Sequence, residues 1–316
     1  ASAAVVDKLV PVAVDSLCQS RGFDFDLYVW PDANAPPRLY RERAIPFTDE
    51  SIRKLLDRGI RVLYISSQGV AAYRDHISSN VLANPSISLV RRFEILRDSA
   101  RSLLTDAFEK SDRDAIADST GFVGTKLAEM ICRSNSLLCE LFGVMHHDYS
   151  AFTHAMNVCT YAVLLARELG IVEEEDLAEL AQGTLLHDVG KNPAEFSGAG
   201  RPGHDFKRKL VNAHPVEGFK RFSQRDDLAY RQLMIIYQHH ERWDGSGIPV
   251  GLVGAEITRW ARICSVANAL ANYMQAQPGS VKMPDSEARE FLLWQAGRSL
   301  DEEMVRCWIS TLKNAR

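Results

Sequence analysis

The sequence predicts a mainly α protein, in which a small α+β module precedes a C-terminal all-α helical bundle. Two observations predict this fold class. Strand-like segments alternate with short helices as far as residue 83, and almost continuous helical periodicity follows Asn84-Pro85. With 316 residues, 46% of them hydrophobic, the chain is long enough for two domains with sizeable cores.

The N-terminal module, residues 1–83, contains short strands and two helices. Thr48 is a good N-cap for the first helix, and the second spans Val70–Val81. The predicted strands are Val10–Val14, Phe23–Trp30, Arg38–Tyr40 and Arg61–Ile65. The module has no carboxylate pair, metal-ligand spacing or glycine loop, so a regulatory sensor, an oligomerisation element and a spacer all remain open.

Helical segments fill the rest of the chain, which we divide into connecting helices at 84–145 and a helical domain at 146–316. The first, Ile87–Lys110, fits a dimeric coiled coil and a one-sided amphipathic helix equally well, so a homodimer is one expectation. The others are Phe122–Val144 after a break at Ser119-Thr120-Gly121, Asp148–Gly170, Glu173–Asp188, Phe206–Ala213 with Pro215–Phe222, Leu228–Arg242, Ala255–Gln275, Asp285–Gly297 and Leu300–Lys313.

Charge, cysteines and hydropathy narrow the class of protein. The formal net charge of -4 gives no basic footprint, which disfavours duplex nucleic acid as a partner. The six cysteines form no CxxC pair and fall mostly in apolar helical runs, which is typical of buried, reduced thiols in the cytoplasm. No run of 18 apolar residues and no charged-then-apolar leader is present, so we expect neither a membrane span nor a signal peptide.

Two adjacent histidines, His239 and His240, end an apolar helix. Ile235 and Ile236 lie four residues earlier, so each imidazole continues a row of buried side chains. A pair of histidines interacting with the C-terminal helix dipole would explain this stretch alone equally well.

Three further histidines occupy similar places. His187 and Asp188 extend the inward stripe of the helix Glu173–Asp188, and a buried pair of this kind requires a salt bridge or a cation. His154 lies in a helix that is apolar nearly all round, where a core histidine is the simpler interpretation. His214 precedes Pro215, where an N-cap is the simpler interpretation.

Together these five of the nine histidines and one carboxylate exceed the needs of one tetrahedral zinc ion. Two adjacent octahedral ions would use them all and leave positions for water. Such a pair generates hydroxide near neutral pH and can clamp a phosphodiester during in-line attack. The spacing alone therefore supports a two-metal phosphodiesterase site.

The chain resembles the HD-GYP family, bacterial metal-dependent phosphodiesterases of the HD superfamily that open cyclic di-GMP. The resemblance covers about residues 148–300. It is carried by His187-Asp188-Val189-Gly190-Lys191, by the stretch from His239-His240-Glu241-Arg242-Trp243-Asp244-Gly245 to Ser246-Gly247-Ile248-Pro249, by Gly251-Leu252-Val253-Gly254 and by Ala261-Arg262-Ile263-Cys264-Ser265-Val266-Ala267.

The resemblance implies an HD-type helical bundle that holds a binuclear centre of two divalent transition-metal ions, with iron expected first and manganese second. By this resemblance Lys191 meets the substrate phosphate, and Asp188 and Lys191 are the catalytic residues. The implied metal ligands are His154, His187, Asp188, His214, His239, His240 and, by its amide oxygen, Asn268.

The chain departs from the family pattern at several positions. Asn268 stands where the family has a ligand aspartate, which weakens metal binding because hard divalent ions favour charged oxygens. Ile248 replaces the tyrosine of the naming motif, and Ser150 replaces a glutamate that binds a third metal in some relatives. Gln277-Pro278-Gly279-Ser280 replaces a segment that carries phosphate-binding arginines. Arg201, Lys207, Arg208 and Lys209 are substitute phosphate contacts, although a solvated basic helix face is the simpler interpretation.

Two functions remain open at this point. The chain is an enzyme that hydrolyses a cyclic dinucleotide with metal-activated water, or a catalytically degenerate relative that binds the dinucleotide or a signalling protein partner without turnover. The histidines, Asp188 and Lys191 favour the enzyme, whereas Asn268 and the lost cations favour the receptor.

Overall fold

A computed structural model describes residues 9–17, 22–30, 35–109, 111–133, 141, 145, 150–191, 204–275 and 286–314. The side chains at 106, 109, 204–212 and 313–314 lie outside this description. The chain divides into two compact units, Ala1–Lys110 and Ser111–Arg316. The predicted boundary at Asn84-Pro85 lies inside the first unit.

The first unit is built on a four-stranded antiparallel sheet of order β1-β4-β2-β3. Its strands are β1 Leu9–Ala13, β2 Leu27–Val29, β3 Arg38–Arg41 and β4 Val62–Ser66. Val12 pairs with Leu63 and both are fully buried, so the two-residue alternation of the sequence marks the core face as expected. The predicted strand Phe23–Trp30 is shorter in the structure because Phe23 bonds through its carbonyl to the backbone of Ala44 instead of to a neighbouring strand.

Three α-helices complete the first unit, α1 Asp49–Asp57, α2 Val70–His76 and α3 Leu89–Glu109. The Thr48 hydroxyl accepts the backbone N–H of Ser51 at 3.3 Å, which confirms the predicted N-cap. The predicted helix Val70–Val81 continues after α2 as a π-helical turn, Ile77–Leu82. Because α3 packs against β1, it belongs to the sheet's unit.

The second unit is helical in its described part. Its helices are α4 Arg113–Cys132, α5 Ala151–Glu168, α6 Glu174–Leu185, α7 His204–Phe222, α8 Tyr230–Gln238, α9 Arg259–Gln275, α10 Ser286–Gln295 and α11 Glu302–Asn314. Helix α5 is buried without interruption from Thr153 to Ala166 and packs against α6, α9 and α11. The nearly all-round apolar character of this helix in the sequence therefore reflects a central position. The fold class predicted from the sequence is confirmed.

The predicted helix break at Ser119-Thr120-Gly121 is wrong, because α4 runs through it. The Thr120 hydroxyl donates to the carbonyls of Ile116 and Ala117 within the helix, at 2.8 and 3.0 Å. Gly124 lies so close to α6 that a Cβ there would be 2.9 Å from the backbone nitrogen of Gln182. The small residues therefore serve close helix packing rather than a turn.

The N-cap interpretation of His214 is also wrong, because α7 is one helix with Pro215 inside it. Proline removes one backbone donor from a helix. Pro215 is nevertheless buried within the helix. Gly190 packs against the backbone of His214 so closely that a Cβ at Gly190 would lie 2.0 Å from the His214 carbonyl oxygen. This contact places His214 beside the turn that follows α6.

The helix ends around the histidine pair also differ from prediction. Helix α8 ends at Gln238 and not at Arg242, and α9 begins at Arg259 after a short 3-10 turn, Gly254–Glu256. Among the described residues, no helix has the length and apolar character needed to cross a bilayer.

Candidate metal centre

The turn after α6 carries the first two site residues. Helix α6 ends at Leu185 and not at the predicted Asp188, so His187 and Asp188 lie in the turn that follows the helix, and both are buried. The backbone of this turn closes on itself, with Val189 N–H donating to Leu186 and Lys191 N–H to Asp188. The turn thereby directs both side chains into the bundle.

Asp188 is the centre of the cluster. Its Oδ1 lies 3.1 Å from His214 Nε2 and 3.7 Å from His239 Nε2. Its Oδ2 lies 3.3 Å from His187 Nε2 and 3.9 Å from His154 Nε2. Each carboxylate oxygen therefore faces its own pair of imidazoles, one pair from α7 and the end of α8, the other from α5 and the end of α6.

The ligand atoms form two groups that share Asp188. One is Asp188, His214, His239 and His240, and the other is His154, His187 and Asp188. Within each group the ligand atoms lie within 4.8 Å of one another. His240 completes the first group, and its ring centroid lies 4.9 Å from that of His214. The structure thus brings together the five histidines and the aspartate that the sequence singled out.

Hydrogen bonds at Nδ1 orient three of the imidazoles. His187 Nδ1 donates to the carbonyl of Thr184 at 2.7 Å, and His239 Nδ1 to the carbonyl of Ile236 at 3.0 Å. His154 Nδ1 lies 3.2 Å from the amide oxygen of Gln275, which can only accept. A proton on Nδ1 leaves the Nε2 lone pair free, and in each ring Nε2 is the atom that faces Asp188.

Burial favours the neutral form of three imidazoles of the cluster. It lowers the pKa of His154 and of His239 to about 4. It also lowers the pKa of His240, to about 2, with a further contribution from neighbouring His239. Neutral imidazole is the form that binds a metal, so these three side chains can bind one at neutral pH without losing a proton.

Asp188 remains charged in spite of its burial. Burial is the largest influence and opposes ionisation, but the neighbouring His187, the positive charge of Lys191 and the hydrogen bond from His214 together hold its pKa well below the usual range. Lys191 Nζ lies 2.5 Å from Asp188 Oδ2, and its side chain is 30% exposed. Lys191, the predicted phosphate-binding lysine, therefore contacts Asp188 at the solvent-exposed edge of the cluster.

The donor set fits divalent transition metals. His187 Nε2 is fully buried and has no hydrogen-bond partner of acceptable geometry in the described part of the chain, although it lies near Asp188. A buried nitrogen with an unused lone pair is costly unless a cation occupies it. Imidazole nitrogen together with a bridging carboxylate suits zinc, iron or manganese. The cluster can therefore hold metal through two groups of ligand atoms that share Asp188.

Helix α9 lines the cluster, and Asn268 is a buried residue of this helix. Ser265 Oγ donates to the carbonyl of His239 at 3.0 Å, and Gln275 contacts His154. Asn268 lies between them in sequence, and its amide oxygen accepts a hydrogen bond from Asn272 at 2.9 Å. An amide oxygen has a second lone pair, so metal ligation by Asn268 stays a prediction.

The predicted phosphate contacts fall largely outside the structural description. Arg201 lies outside the described residues, and Lys207, Arg208 and Lys209 lie in α7 with side chains that are not described. Ser150 caps α5 by accepting the N–H of Thr153 at 3.1 Å, so the position that holds a glutamate in some relatives serves the helix here.

Sequence reasoning missed the residues that hold the ligands in place. Gln275, Ser265 and Glu241 contact His154, His239 or the segment that follows His240, and none has a typical metal-ligand pattern. Glu241 offered one signal, because it is a charged residue directly after two inward histidines. Its partners are backbone groups, which no spacing of side chains reveals.

Comparison with known proteins assigns the second half of the chain to a family. A family model described as the HD domain matches residues 126–304. The chain is 33% identical over 159 residues to the protein named cyclic di-GMP phosphodiesterase response regulator RpfG of Xanthomonas campestris pv. campestris, an alignment covering 49% of this chain and 41% of that protein. It is 31% identical over 156 residues to 3'3'-cGAMP-specific phosphodiesterase 2 of Vibrio cholerae, covering 48% and 30% of the two chains.

The chain thus spans less than half the length of these curated relatives. Among solved structures, the protein titled Bd1817, an HDG"Y"P protein from Bdellovibrio bacteriovorus, superposes with a TM-score of 0.66 at 23% identity. The match covers 97% of this chain and 100% of that one, which shows a shared fold. Through the matched domain the chain belongs to the HD domain family, and its motifs resemble those of the HD-GYP group.

Proposed function

We propose that this protein hydrolyses a phosphodiester bond of a cyclic dinucleotide of the cyclic di-GMP type in a metal-dependent reaction. The observation that carries the proposal is Asp188, whose two oxygens each face a separate pair of histidines. In the reaction, water adds to phosphorus, one phosphorus–oxygen bond of the ring breaks, and a linear dinucleotide with a terminal phosphate remains.

The ligands of the proposed centre are His154 and His187 for one ion and His214, His239 and His240 for the other, with Asp188 common to both. Asn268 is a further proposed ligand. Two divalent ions, iron first and manganese second, supply a nucleophile near neutral pH and a positive charge for the phosphoryl oxygens when bound.

The chain's own groups have separate tasks. Asp188 stays ionised because neighbouring cations and hydrogen bonds stabilise its charge. The Nδ1 bonds to Thr184, Ile236 and Gln275 hold the rings with Nε2 directed at Asp188. Lys191 is partly exposed beside Asp188, so a phosphate at the cluster edge would compete with that carboxylate for its ammonium group.

A second candidate function is binding of the dinucleotide, or of a signalling protein partner, without turnover. It is favoured by Asn268, which provides a neutral amide where the family pattern has an aspartate, and by the loss of the arginine-bearing segment at Gln277-Pro278-Gly279-Ser280. Arg201, Lys207 and Arg208 are proposed phosphate contacts in either case. The homodimer and the cytoplasmic location stay predictions.

The test uses the full chain prepared without oxygen and supplied with iron or with manganese. Cyclic di-GMP and 3'3'-cGAMP are each incubated with it, and products are separated by chromatography while binding is followed by calorimetry. Appearance of linear product that a chelator abolishes supports the enzyme. Binding without product in either metal form would favour the receptor function over the enzyme. Absence of both binding and product would reject both functions.

A further inference from the structure

Glu241 holds a buried charge that the proposed chemistry does not use. The residue is 2% exposed and directly follows His240. Its Oε1 accepts the backbone N–H of Val250 at 2.7 Å, and its Oε2 accepts those of Gly251 and Leu252, both at 3.0 Å. A buried carboxylate is costly unless hydrogen bonds satisfy it, and here three consecutive backbone donors do so.

The segment between Glu241 and its donors is tightly wound. A Cβ at Gly247 would lie 2.2 Å from the backbone nitrogen of Arg242, so only glycine fits there. Gly245 and Gly251 have φ values of +78° and +82°, which glycine adopts without strain. The backbone of residues 247–252 therefore folds around the carboxylate at close range.

The same segment also satisfies the end of α8, which carries two ligands. Ile248 N–H donates to the carbonyl of His240 at 3.1 Å. Beyond it, Thr258 N–H donates to the side chain of Gln238 at 3.0 Å. Carbonyl groups at a helix end lack partners within the helix, so these contacts fix the place where His239 and His240 leave α8.

We propose that Glu241 is a positioning residue: its carboxylate is an internal anion that holds residues 247–252 as a fixed wall beside His239 and His240. The contacts of Glu241 support this role for residues 247–252 directly, and the effect of the wall on substrate rests on the proposed function. Three converging N–H groups form an anion-binding arrangement, and Glu241 fills it from within the chain.

The proposal differs from a general packing role in what replaces the carboxylate. Glu241→Gln keeps the shape but presents an NH2 group to at least one N–H donor, because each oxygen is used. Glu241→Ala removes a fragment of the size of acetate. Acetate should therefore restore the wall, whereas acetamide, of similar size but neutral, should not.

The experiment measures hydrogen exchange of the amides of Val250, Gly251 and Leu252 in the full chain, with metal content determined in parallel. In Glu241→Ala we expect exchange of these three amides at least about tenfold faster, reversed by millimolar acetate and not by acetamide. Glu256→Ala is the matched control, because Glu256 accepts only one N–H in the same region, that of Val253 at 2.8 Å, and is exposed.

A second measurement concerns substrate. If the wild type hydrolyses a cyclic dinucleotide, Glu241→Gln should raise KM by about tenfold or more with kcat and metal content much less changed, because the wall and not the ligands is disturbed. Unchanged exchange in Glu241→Ala, or equal rescue by acetamide, would overturn the proposal. Absence of activity in the wild type would count against the proposed function only, since the exchange measurement decides the wall independently.

Discussion

Asp188 and His214 meet at 3.1 Å between Oδ1 and Nε2, although one lies in the turn after α6 and the other inside α7. The close approach of Gly190 to the backbone of His214 makes this contact possible. Together with His239 and His240, these two residues form one of the two ligand groups that share Asp188.

Wild-type protein is expected to contain close to two transition-metal ions per chain, and His187→Ala should remove most of them. His187 is fully buried, and its Nε2 has no acceptable hydrogen-bond partner among the described groups. Elemental analysis of purified protein measures this. His76→Ala, a buried histidine in the first unit, is the control and should retain metal; a metal-free wild type would reject the site.

Asn268→Asp should tighten metal binding and, if the chain is an enzyme, raise its rate. The change adds a negative charge at a buried position in α9, and Asn272 can still donate to the new carboxylate. Competition with a chelator measures the affinity. Asn84→Asp makes the same chemical change at a half-buried position in the first unit and should have no effect on metal affinity; equal affinities of wild type and Asn268→Asp would remove Asn268 from the ligand set.

Lys191→Met should lower the hydrolysis rate by about 100-fold while metal content stays near two. The reason is that its ammonium group is partly exposed at the edge of the cluster and lies beside Asp188. Steady-state kinetics with metal analysis check this prediction. Lys220→Met is the control, because the ion pair of Lys220 with Glu217 is exposed to solvent. Undiminished turnover would exclude Lys191 from catalysis.

The stability of the first unit should fall on acidification because of His76. Burial lowers its pKa to about 4, partly offset by a hydrogen bond with the Ser16 backbone. The unfolded chain, with a pKa near 6.5, then binds more protons than the folded one between about pH 6.5 and 4. The contribution of His76 to the free energy of unfolding is therefore complete above pH 6.5 and is smaller by about 2 kcal/mol at pH 5.

Denaturant titrations at pH 7 and pH 5, followed by circular dichroism, measure this loss. His76→Gln should reduce the difference between the two pH values, whatever its effect at pH 7. An identical pH dependence in the wild type and in His76→Gln would contradict the assignment.

Gly124→Ala should destabilise the second unit by about 1–3 kcal/mol, because the added methyl group would press on the backbone of α6 at 2.9–3.0 Å. Gly121→Ala, three residues earlier, meets only the side chain of Gln182 at 3.2 Å, which can move. Alanine also favours the helix, so this variant should be near neutral or more stable. Thermal unfolding compares the two, and equal losses would show that contact with α6 is not the cause.

Much of the fold could be predicted because local patterns and tertiary structure agree. The alternation in β1 and β4, the Thr48 cap and the apolar α5 all appear as expected. Predictions failed where packing overrode local preference. Thr120 and Gly121 usually weaken a helix, and Pro215 usually ends one, yet α4 and α7 continue through them. Both helices are held by close contacts, of Gly124 with the backbone of α6 and of Gly190 with the backbone of His214.

The five histidines and Asp188 could be selected from the sequence because each lies on an inward-facing stripe or at a buried end of a predicted helix, and helical periodicity is a local property. Asn268 and Ile248 are also recognisable in the sequence as departures from the family pattern. Only the tertiary structure decided that Asp188 divides the histidines into two groups, that Thr184, Ile236 and Gln275 orient the rings, and that Glu241 holds the following segment. These contacts involve backbone groups and helices that are far apart in sequence, so no periodic sequence pattern predicts them.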